Sequence, residues 1–499
     1  QSLVLKSILW AAKKEPQVQF NDLGVGGDTI NRAELTGKQL TAHWRGATNG
    51  MQAHVTVRDE DKTLFLKTAQ EIPGKDLSVK LPVLPAGKYF ADVIIRAGQN
   101  CVNWGSVGFT VVSDLNITAL SLDKPAAKAN ETVTATATLS ASAPADMNLY
   151  LEVVDNLDRL IVRKSVTVAA GSKEIKVPFQ LADPLALSAR VTAYLVNGSP
   201  GKQPLEQACV AKASRELFVP LKRSRGNYAH AVWSADGQRN DFVRRIMLRQ
   251  LRACDVDLQT NAPTNVPGQA WLQSNNFDTI PYATRYSYEG SNTVREPCLT
   301  DPKFLGPHLE SLEKIGRELG PMGPRAYTLG DECFLARDGV DVCFSPTCIA
   351  DFQQWLQGEY GNIAALNASW GTNYGGFGEA QPITLQDAKK AGRPVQWVDH
   401  RRHMEFVYAR MMQRAGEAIR KADPEAEVGF DGPFDTNSFS GNDWSRLMQA
   451  FTMVNVYFHQ PTQWEFVRLI VSPPTPRSLN CTWGSFFAAH RMDLSTSDW

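Results

Sequence analysis

Two adjacent carboxylates, Asp331 and Glu332, directly follow the largely apolar segment 327–330 and are the strongest candidates for chemistry. Gly330 lets the backbone turn tightly at this point because glycine has no Cβ. A carboxyl group half-buried at such a turn is partly stripped of water and is suited to hold and release a proton, the task of a general acid. The structural alternative is that the two carboxylates cap the following segment or pair with Arg337.

Other side chains that suit ligand binding follow further strand-like segments. Aromatic rings stack on the apolar faces of sugars, and carboxylates and amides hydrogen-bond to sugar hydroxyls. The residues at these segment ends are aromatic, acidic or amide-bearing, with no cluster of Lys and Arg for phosphate: Trp233, Asn261, Tyr282, Asp431, Tyr457 and Trp483. We therefore expect an oligosaccharide or polysaccharide as the ligand, contacted by Asp331, Asp431, Tyr457 and Trp483.

Strands alternate with amphipathic helices after residue 226. Predicted strands lie at 228–233, 256–260, 279–283, 325–330, 427–430, 454–458 and 479–483, and the predicted helices include 241–253, 301–320 and 398–421. This alternation predicts a parallel sheet with helical crossovers.

Of the parallel architectures, the (β/α)8 TIM barrel fits best, because it needs about 250 residues and places functional side chains at the C-terminal strand ends. A doubly wound sheet is the alternative, but no glycine-rich phosphate loop follows the first strand, where 234–237 forms only a turn. Since seven strands are predicted, we expect the chain to stop before the eighth strand and to lack C-terminal domains.

The sequence of the first 220 or so residues predicts strands throughout. Short segments with alternating apolar and polar residues are spaced about 8–12 residues apart, as is typical of β-sandwiches. The predicted strands are 40–44, 53–57, 63–67, 77–81, 89–95, 107–112, 117–122, 132–139, 149–154, 174–179, 189–195 and 209–219. Breaks near 114 and at the basic segment 220–226 predict a β-sandwich at 1–114, an Ig-like β-sandwich at 115–222 and the barrel at 223–499. One large sandwich in place of two is the alternative.

Composition excludes two classes of function. Lys+Arg and Asp+Glu number 52 each, so the chain lacks the basic excess of a nucleic-acid binder. No apolar run reaches the roughly 18 residues that a membrane-spanning helix needs. Because the chain begins Gln1-Ser2-Leu3 without Met, we expect that a secretory signal or another upstream segment was removed, and that the protein is extracellular, periplasmic or on the cell surface.

The middle of the α/β part resembles glycoside hydrolase family 42 and its β-galactosidase-like relatives. The residues that carry the resemblance are YTLGDE at 327–332, CFSPTC at 343–348, FQQWL at 352–356, EYG at 359–361 and LNASWGT at 366–372. Upstream, REPCLTDP at 295–302 also fits, as do WVD at 397–399 and SGNDW at 440–444 downstream. The resemblance covers about 226–490 and leaves the β-sandwich part uncovered.

The resemblance implies a barrel that cleaves β-glycosidic bonds, above all β-galactosides, with retention of configuration. Retaining enzymes use two carboxylates about 5–5.5 Å apart, and Glu332 matches the acid/base at the end of the fourth strand. The preceding position is usually Asn in this clan, where it contacts the 2-hydroxyl of the sugar. This chain has Asp331, which accepts hydrogen bonds but cannot donate them when ionised. Family members often form trimers, so a homo-oligomer is also expected.

The nucleophile departs from the family pattern. A Glu ends the seventh strand in the family, but the matching segment 480–486 has no carboxylate. Asp431, Glu465 and Asp493 are the alternatives within the chain, and a residue beyond Trp499 is another. A non-catalytic carbohydrate-binding or cell-surface structural protein built on a degenerate barrel is therefore the second functional hypothesis.

Three of the eight cysteines, Cys298, Cys343 and Cys348, match the positions where family relatives bind a structural zinc. Zinc sites usually have four ligands, often with a Cys-x2-Cys pair, whereas four residues separate Cys343 from Cys348. A disulfide within this group is the preferred interpretation for an oxidising compartment. No other cofactor is expected.

Overall fold

The computed structural model describes residues 2–14, 16–60, 63–72, 74–221, 230–233, 241–290, 292–337, 341–431, 440–456 and 478–481. Its internal contacts divide the chain into two compact units, Gln1–Leu217 and Phe218–Trp499. Among the described helices, none is both long and apolar enough to cross a bilayer.

The N-terminal unit begins with helix α1 (Ser2–Ala11) and is otherwise dominated by strands. Two sheets with the strand orders β1-β3-β6 and β2-β8-β7-β4-β5 enclose one apolar core, which includes Leu40, Trp44, Val55 and Val93. Only β2 and β8 run parallel among the paired strands of these two sheets. The strands are β1 (Gln19–Gly24), β2 (Thr29–Asn31), β3 (Gln39–Arg45), β4 (Gln52–Asp59), β5 (Leu64–Glu71), β6 (Asp76–Lys80), β7 (Gly87–Ala97) and β8 (Asn100–Val112).

A second pair of sheets follows, with the strand orders β13-β10-β9 and β12-β11-β14-β15. Every second residue of β10 is buried, namely Val133, Ala135, Ala137 and Leu139, as the alternation in sequence predicts. Both sheet pairs are β-sandwich-like, in agreement with the predicted class. The elements are β9 (Ile117–Leu122), β10 (Thr132–Leu139), β11 (Met147–Asp155), β12 (Leu160–Val168), β13 (Glu174–Gln180), β14 (Ser188–Val196), the short helix α2 (Leu205–Ala208) and β15 (Ala211–Phe218).

The C-terminal unit mixes helices and strands. Its strands are β16 (His230–Trp233), β17 (Val256–Ala262), β18 (Asp278–Pro281), β19 (Tyr327–Asp331), β20 (Val428–Asp431), β21 (Met453–Val456) and β22 (Ser478–Cys481). Its helices are α3 (Asp241–Ala253), α4 (Val266–Gln273), α5 (Pro302–Leu319), α6 (Pro346–Tyr360), α7 (Ile363–Trp370), α8 (Leu385–Ala391), α9 (Pro394–Ala422) and α10 (Trp444–Ala450).

Every strand pair described in this unit is parallel, and neighbours in space are neighbours in sequence. The orders are β16-β17-β18 and β19-β20-β21-β22, and a parallel bridge between Tyr282 and Thr328 joins the two groups. Leu258, Ile280 and Met453, from β17, β18 and β21, belong to one buried cluster, as expected of a strongly curved sheet. The predicted parallel strands and helical crossovers are therefore present.

Helix boundaries follow the local chemistry of the chain. Asp301 caps α5 by accepting from the Lys303 amide, and Ser345 caps α6 by accepting from the Cys348 amide; each helix begins with Pro. Gly316 lets α5 approach α9 closely, because a Cβ there would lie 2.5 Å from the Ile419 carbonyl oxygen. Helix α9 begins at Pro394, earlier than the predicted residue 398.

Candidate active site

The two candidate carboxylates lie at the C-terminal end of β19, in a turn of unusual backbone geometry. Gly330 has φ +125° and Glu332 has φ +45°, a left-handed conformation that residues with a Cβ seldom adopt. A Cβ on Gly330 would lie 2.7 Å from both the Thr284 carbonyl oxygen and Cys333 Sγ. The glycine predicted to allow a tight turn is therefore required by φ and by space.

Main-chain contacts from the segment after β18 hold this turn. Tyr282 Oη accepts a hydrogen bond from the Asp331 amide at 3.0 Å, and Arg285 Nε donates to the Asp331 carbonyl at 3.1 Å. Ser287 Oγ donates to the Glu332 carbonyl. We call residues 282–287 the brace, because they fix the backbone that presents Glu332.

The Glu332 side chain is 26% exposed and pairs with Arg337, whose Nη2 donates to Oε2 at 2.7 Å. Arg337 Nη1 also lies 3.6 Å from Glu289, and Glu289 lies 3.4 Å from Arg285 of the brace. The Arg337 pairing that the sequence left as a structural alternative is thus present. Arg337 engages Oε2 of this carboxylate, one of its two oxygens.

The structure describes two of the four residues that were predicted to contact a saccharide. Asp331 and Asp431 end neighbouring strands in register, and the Glu332 amide donates to the Asp431 carbonyl at 3.1 Å. Asp431 is fully buried. Tyr457 and Trp483 lie outside the described residues, as do Glu465 and Asp493, so their roles stay predictions.

Tyr282 is a site residue that the sequence did not single out beyond its position at a strand end. Its ring makes an edge-to-face contact with Trp233, with centroids 6.3 Å apart, and its hydroxyl reaches the Asp331 amide. Burial raises the pKa of Tyr282 to about 12, so the hydroxyl stays protonated at neutral pH. No spacing in the sequence relates Tyr282 to Asp331; only the strand order brings them together.

Cys298, Cys343 and Cys348 converge as predicted, with their three sulfurs within 4.8 Å of one another. Cys298 Sγ lies 3.5 Å from Cys348 Sγ, and the three thiols are unbonded. Hydroxyl oxygens of Ser345, Thr300 and Thr347 lie 3.0, 3.2 and 3.3 Å from Cys298 Sγ. A cavity of about 450 Å³ borders Cys298, Ser345 and Thr347.

This donor set fits a thiophilic metal ion with three protein ligands. Zn–S bonds of about 2.3 Å in tetrahedral geometry place sulfurs about 3.8 Å apart, close to the spacing of this group. Hydrogen bonds from Cys343 and Cys348 lower the pKa of Cys298, whereas the hydrogen bonds to Cys298 and Cys343 raise the pKa of Cys348, so the negative charge of the group is favoured on Cys298. A zinc ion would be held by the three cysteines and would link the segment around Cys298 to the start of α6.

The family signature between 352 and 399 forms a buried network on the helices. Asp399 Oδ2 accepts from Trp370 Nε1 at 2.8 Å and from the Tyr360 hydroxyl at 2.5 Å. These contacts tie α6 and α7 to α9. The motif residues that carry the resemblance most clearly therefore stabilise the fold, whereas Asp331 and Glu332 lie at the strand ends.

Comparison with known proteins agrees with the resemblance seen in the sequence. The beta-galactosidase family model, glycoside hydrolase family 42, matches residues 244–465. The beta-galactosidase bgaB of Geobacillus kaustophilus is 30% identical over 100 residues, which cover 19% of this chain and 15% of that protein. The beta-galactosidase YesZ of Bacillus subtilis is 26% identical over 164 residues, 32% of this chain and 24% of that protein.

These matches show that the C-terminal unit contains a region similar to family 42. The chain spans less than a quarter of the length of the two curated relatives. Among solved structures, the beta-galactosidase from the psychrophilic Marinomonas ef1 has a TM-score of 0.37 and 14% identity, over 46% of this chain and 40% of that one. That degree of similarity is too low to support an inference about fold or activity.

Proposed function

We propose that the C-terminal unit, which contains the family-42-like region at 244–465, belongs to a (β/α)8-type barrel that hydrolyses β-linked, galactose-containing glycans, with Glu332 as its general acid/base. The observation that carries the proposal is the position of Glu332: it lies inside the matched region, at the C-terminal end of a parallel strand, in a braced turn. Parallel-strand ends are where barrel enzymes place their catalytic groups.

The geometry supports different roles for the two oxygens of this carboxylate. Arg337 anchors Oε2, and Oε1 would protonate the glycosidic oxygen as the bond to the sugar breaks. In the second half of a retaining reaction the same group would take a proton from the attacking water. Asp331 would accept hydrogen bonds from sugar hydroxyls, and Asp431 is the nearest described candidate for the second carboxylate, since it ends the neighbouring strand.

The test compares the wild-type protein with Glu332→Gln on two aryl β-galactosides, one with a 2,4-dinitrophenyl and one with a phenyl leaving group. Loss of a general acid should lower kcat/KM roughly 100-fold or more on the phenyl galactoside and far less on the dinitrophenyl galactoside, because dinitrophenolate leaves without protonation. Glu310→Gln, at an exposed position of α5, is the control. The anomeric configuration of the first product, followed by NMR, tests retention.

Two outcomes would contradict the proposal. An equal loss of kcat/KM on both leaving groups would show that Glu332 does not protonate the leaving group. Absence of turnover by the wild type, with oligosaccharide still bound, would favour the non-catalytic carbohydrate-binding protein.

We further propose an extracellular, periplasmic or cell-surface location and a homo-oligomer. The support for location is the polymeric nature of the inferred ligand, and the support for assembly is the family resemblance. Fractionation of the source cells and light scattering of the purified chain test the two proposals.

A further inference from the structure

Trp233 is a large aromatic residue that ends β16 and remains 40% exposed. Among the described tryptophans of the same unit, Trp370 and Trp444 are each 3% exposed, and Trp271, Trp355 and Trp397 are partly buried. Leaving an indole in water forgoes the favourable free energy of burying a large apolar surface. The exposure of Trp233 is therefore not explained by packing of the core.

The direction of the side chain follows from its neighbour. Val232 packs against the cluster formed by Leu248, Leu272 and Phe277, on the side of the strand that faces the helices. Successive residues of a strand point to opposite faces of the sheet. Trp233 therefore points to the face opposite the helices, which in a barrel is the interior.

A chain of two contacts connects Trp233 to the candidate catalytic turn. Its ring and the Tyr282 ring are perpendicular, with a centroid distance of 6.3 Å and an interplanar angle of 89°. Tyr282 Oη in turn accepts from the Asp331 amide at 3.0 Å, one residue before Glu332. Because Tyr282 is fixed by the brace contact, the indole is held against a defined partner at the same strand ends as the carboxylates.

We propose that Trp233 is a stacking platform for one pyranose ring of the substrate, at a subsite next to the bond cleaved by Glu332. The inference rests on the proposed function for its substrate class, a β-linked hexopyranose glycan. The flat apolar surface of the indole matches the C–H face of a galactopyranose ring. Tyr282 is its positioning residue, because its ring contacts the indole and its hydroxyl contacts the Asp331 backbone.

The experiment measures binding and turnover separately. Trp233→Ala and Trp233→Phe are made in the wild type for steady-state kinetics on β-1,4-galactotriose. They are also made in the Glu332→Gln background for calorimetric titration with the same trisaccharide. Trp271→Phe is the control, because Trp271 lies on the helix side of β16 under Arg244. Thermal unfolding of each variant checks that the fold is kept.

The proposal expects Trp233→Ala to raise KM and Kd about fivefold to tenfold, with kcat within about twofold. Trp233→Phe recovers most of the affinity because a smaller ring still stacks, and Trp271→Phe changes neither constant. An unchanged Kd in Trp233→Ala overturns the platform even if hydrolysis is confirmed. Trp233-dependent binding without turnover by the wild type supports the platform and overturns the proposed hydrolysis, so the two failures are distinguishable.

Discussion

Arg337 donates from Nη2 to Oε2 of Glu332 over 2.7 Å, while its Nη1 lies 3.6 Å from Glu289. The guanidinium also lies over the Phe334 ring, with its central carbon 5.1 Å from the centroid. The arginine is thus held on two sides and restricts the rotamers available to the Glu332 side chain. We assign Arg337 as a positioning residue for the candidate acid/base.

Arg337→Gln is therefore expected to lower kcat about tenfold with little change in KM, because a mobile carboxylate meets the glycosidic oxygen less often. Stability should hardly change, since ion pairs with such exposure contribute about 0–1 kcal/mol. Arg337→Lys should recover part of kcat, which a purely structural role would not require. Arg414→Gln, at an exposed position of α9, is the matched control for steady-state kinetics.

Gly330→Ala tests the turn itself. Its φ of +125° is costly for any residue with a Cβ, and the added methyl group would meet the Thr284 carbonyl. We expect a loss of about 1–3 kcal/mol in the free energy of unfolding from strain alone, together with loss of turnover. Urea denaturation and kcat measure the two effects.

Gly358 offers a matched glycine within α6, where an added Cβ meets nothing within 4 Å. Gly358→Ala is expected to be neutral or to stabilise by up to about 1 kcal/mol, because alanine favours the helix. If the two alanine variants unfolded at the same urea concentration, the argument from backbone geometry at Gly330 would be wrong.

The buried His400 predicts a dependence of stability on pH. It is 1% exposed, and desolvation lowers its pKa to about 3, helped by the neighbouring charges of His403 and Arg401. The pKa of His403 is also lowered by burial, although Asp351 opposes this shift. In the unfolded chain a histidine has a pKa near 6.5.

As the pH falls below about 6.5, His400 becomes protonated in the unfolded chain but stays neutral in the folded chain. The free energy of unfolding therefore decreases by up to about 1.4 kcal/mol per pH unit. His400→Gln should flatten this slope between pH 6.5 and 5 in urea denaturation, relative to the wild type. His230→Gln, at an exposed histidine of the same unit, is the matched control. Equal slopes in the wild type and His400→Gln would contradict the assignment.

The three-cysteine group predicts bound metal. Protein purified under reducing conditions should carry about one zinc per chain by elemental analysis, and Cys298→Ser should lose it. Cys254→Ser, an exposed cysteine outside the group, is the control. Ser345→Cys should slow zinc loss to a chelator, since Ser345 Oγ already lies 3.0 Å from Cys298 Sγ. A metal-free protein that has lost two titratable thiols would instead support the disulfide.

The sequence predicts best those strands and helices in which apolar residues recur at regular intervals. The structure has β9 and β10 at the predicted residues, and α3 also matches at both ends. Strand β12 was missed because it lies at the edge of its sheet, where Arg163 and Lys164 leave no alternating apolar pattern. An edge strand that is exposed to solvent on both faces needs no alternation of apolar and polar residues, which is the pattern from which strands are predicted.

In the candidate site, too, local features could be predicted from the sequence and contacts between distant segments could not. Glu332 and the turn at Gly330 could be predicted, because both are encoded within a few residues. The brace could not, because Tyr282, Arg285 and Ser287 act on main-chain atoms of a different strand end. Only the order of the parallel strands reveals such contacts.

The brace also bears on how this site can change over evolutionary time. Position 331 is anchored through its amide and its carbonyl, groups that every residue except proline supplies in full. Replacing Asp331 by Asn would therefore exchange a carboxylate, which only accepts hydrogen bonds, for an amide, which both donates and accepts them. The two main-chain hydrogen bonds at position 331 would remain. A replacement at position 331 can therefore change the side-chain groups offered to a ligand while the backbone of the turn keeps its contacts.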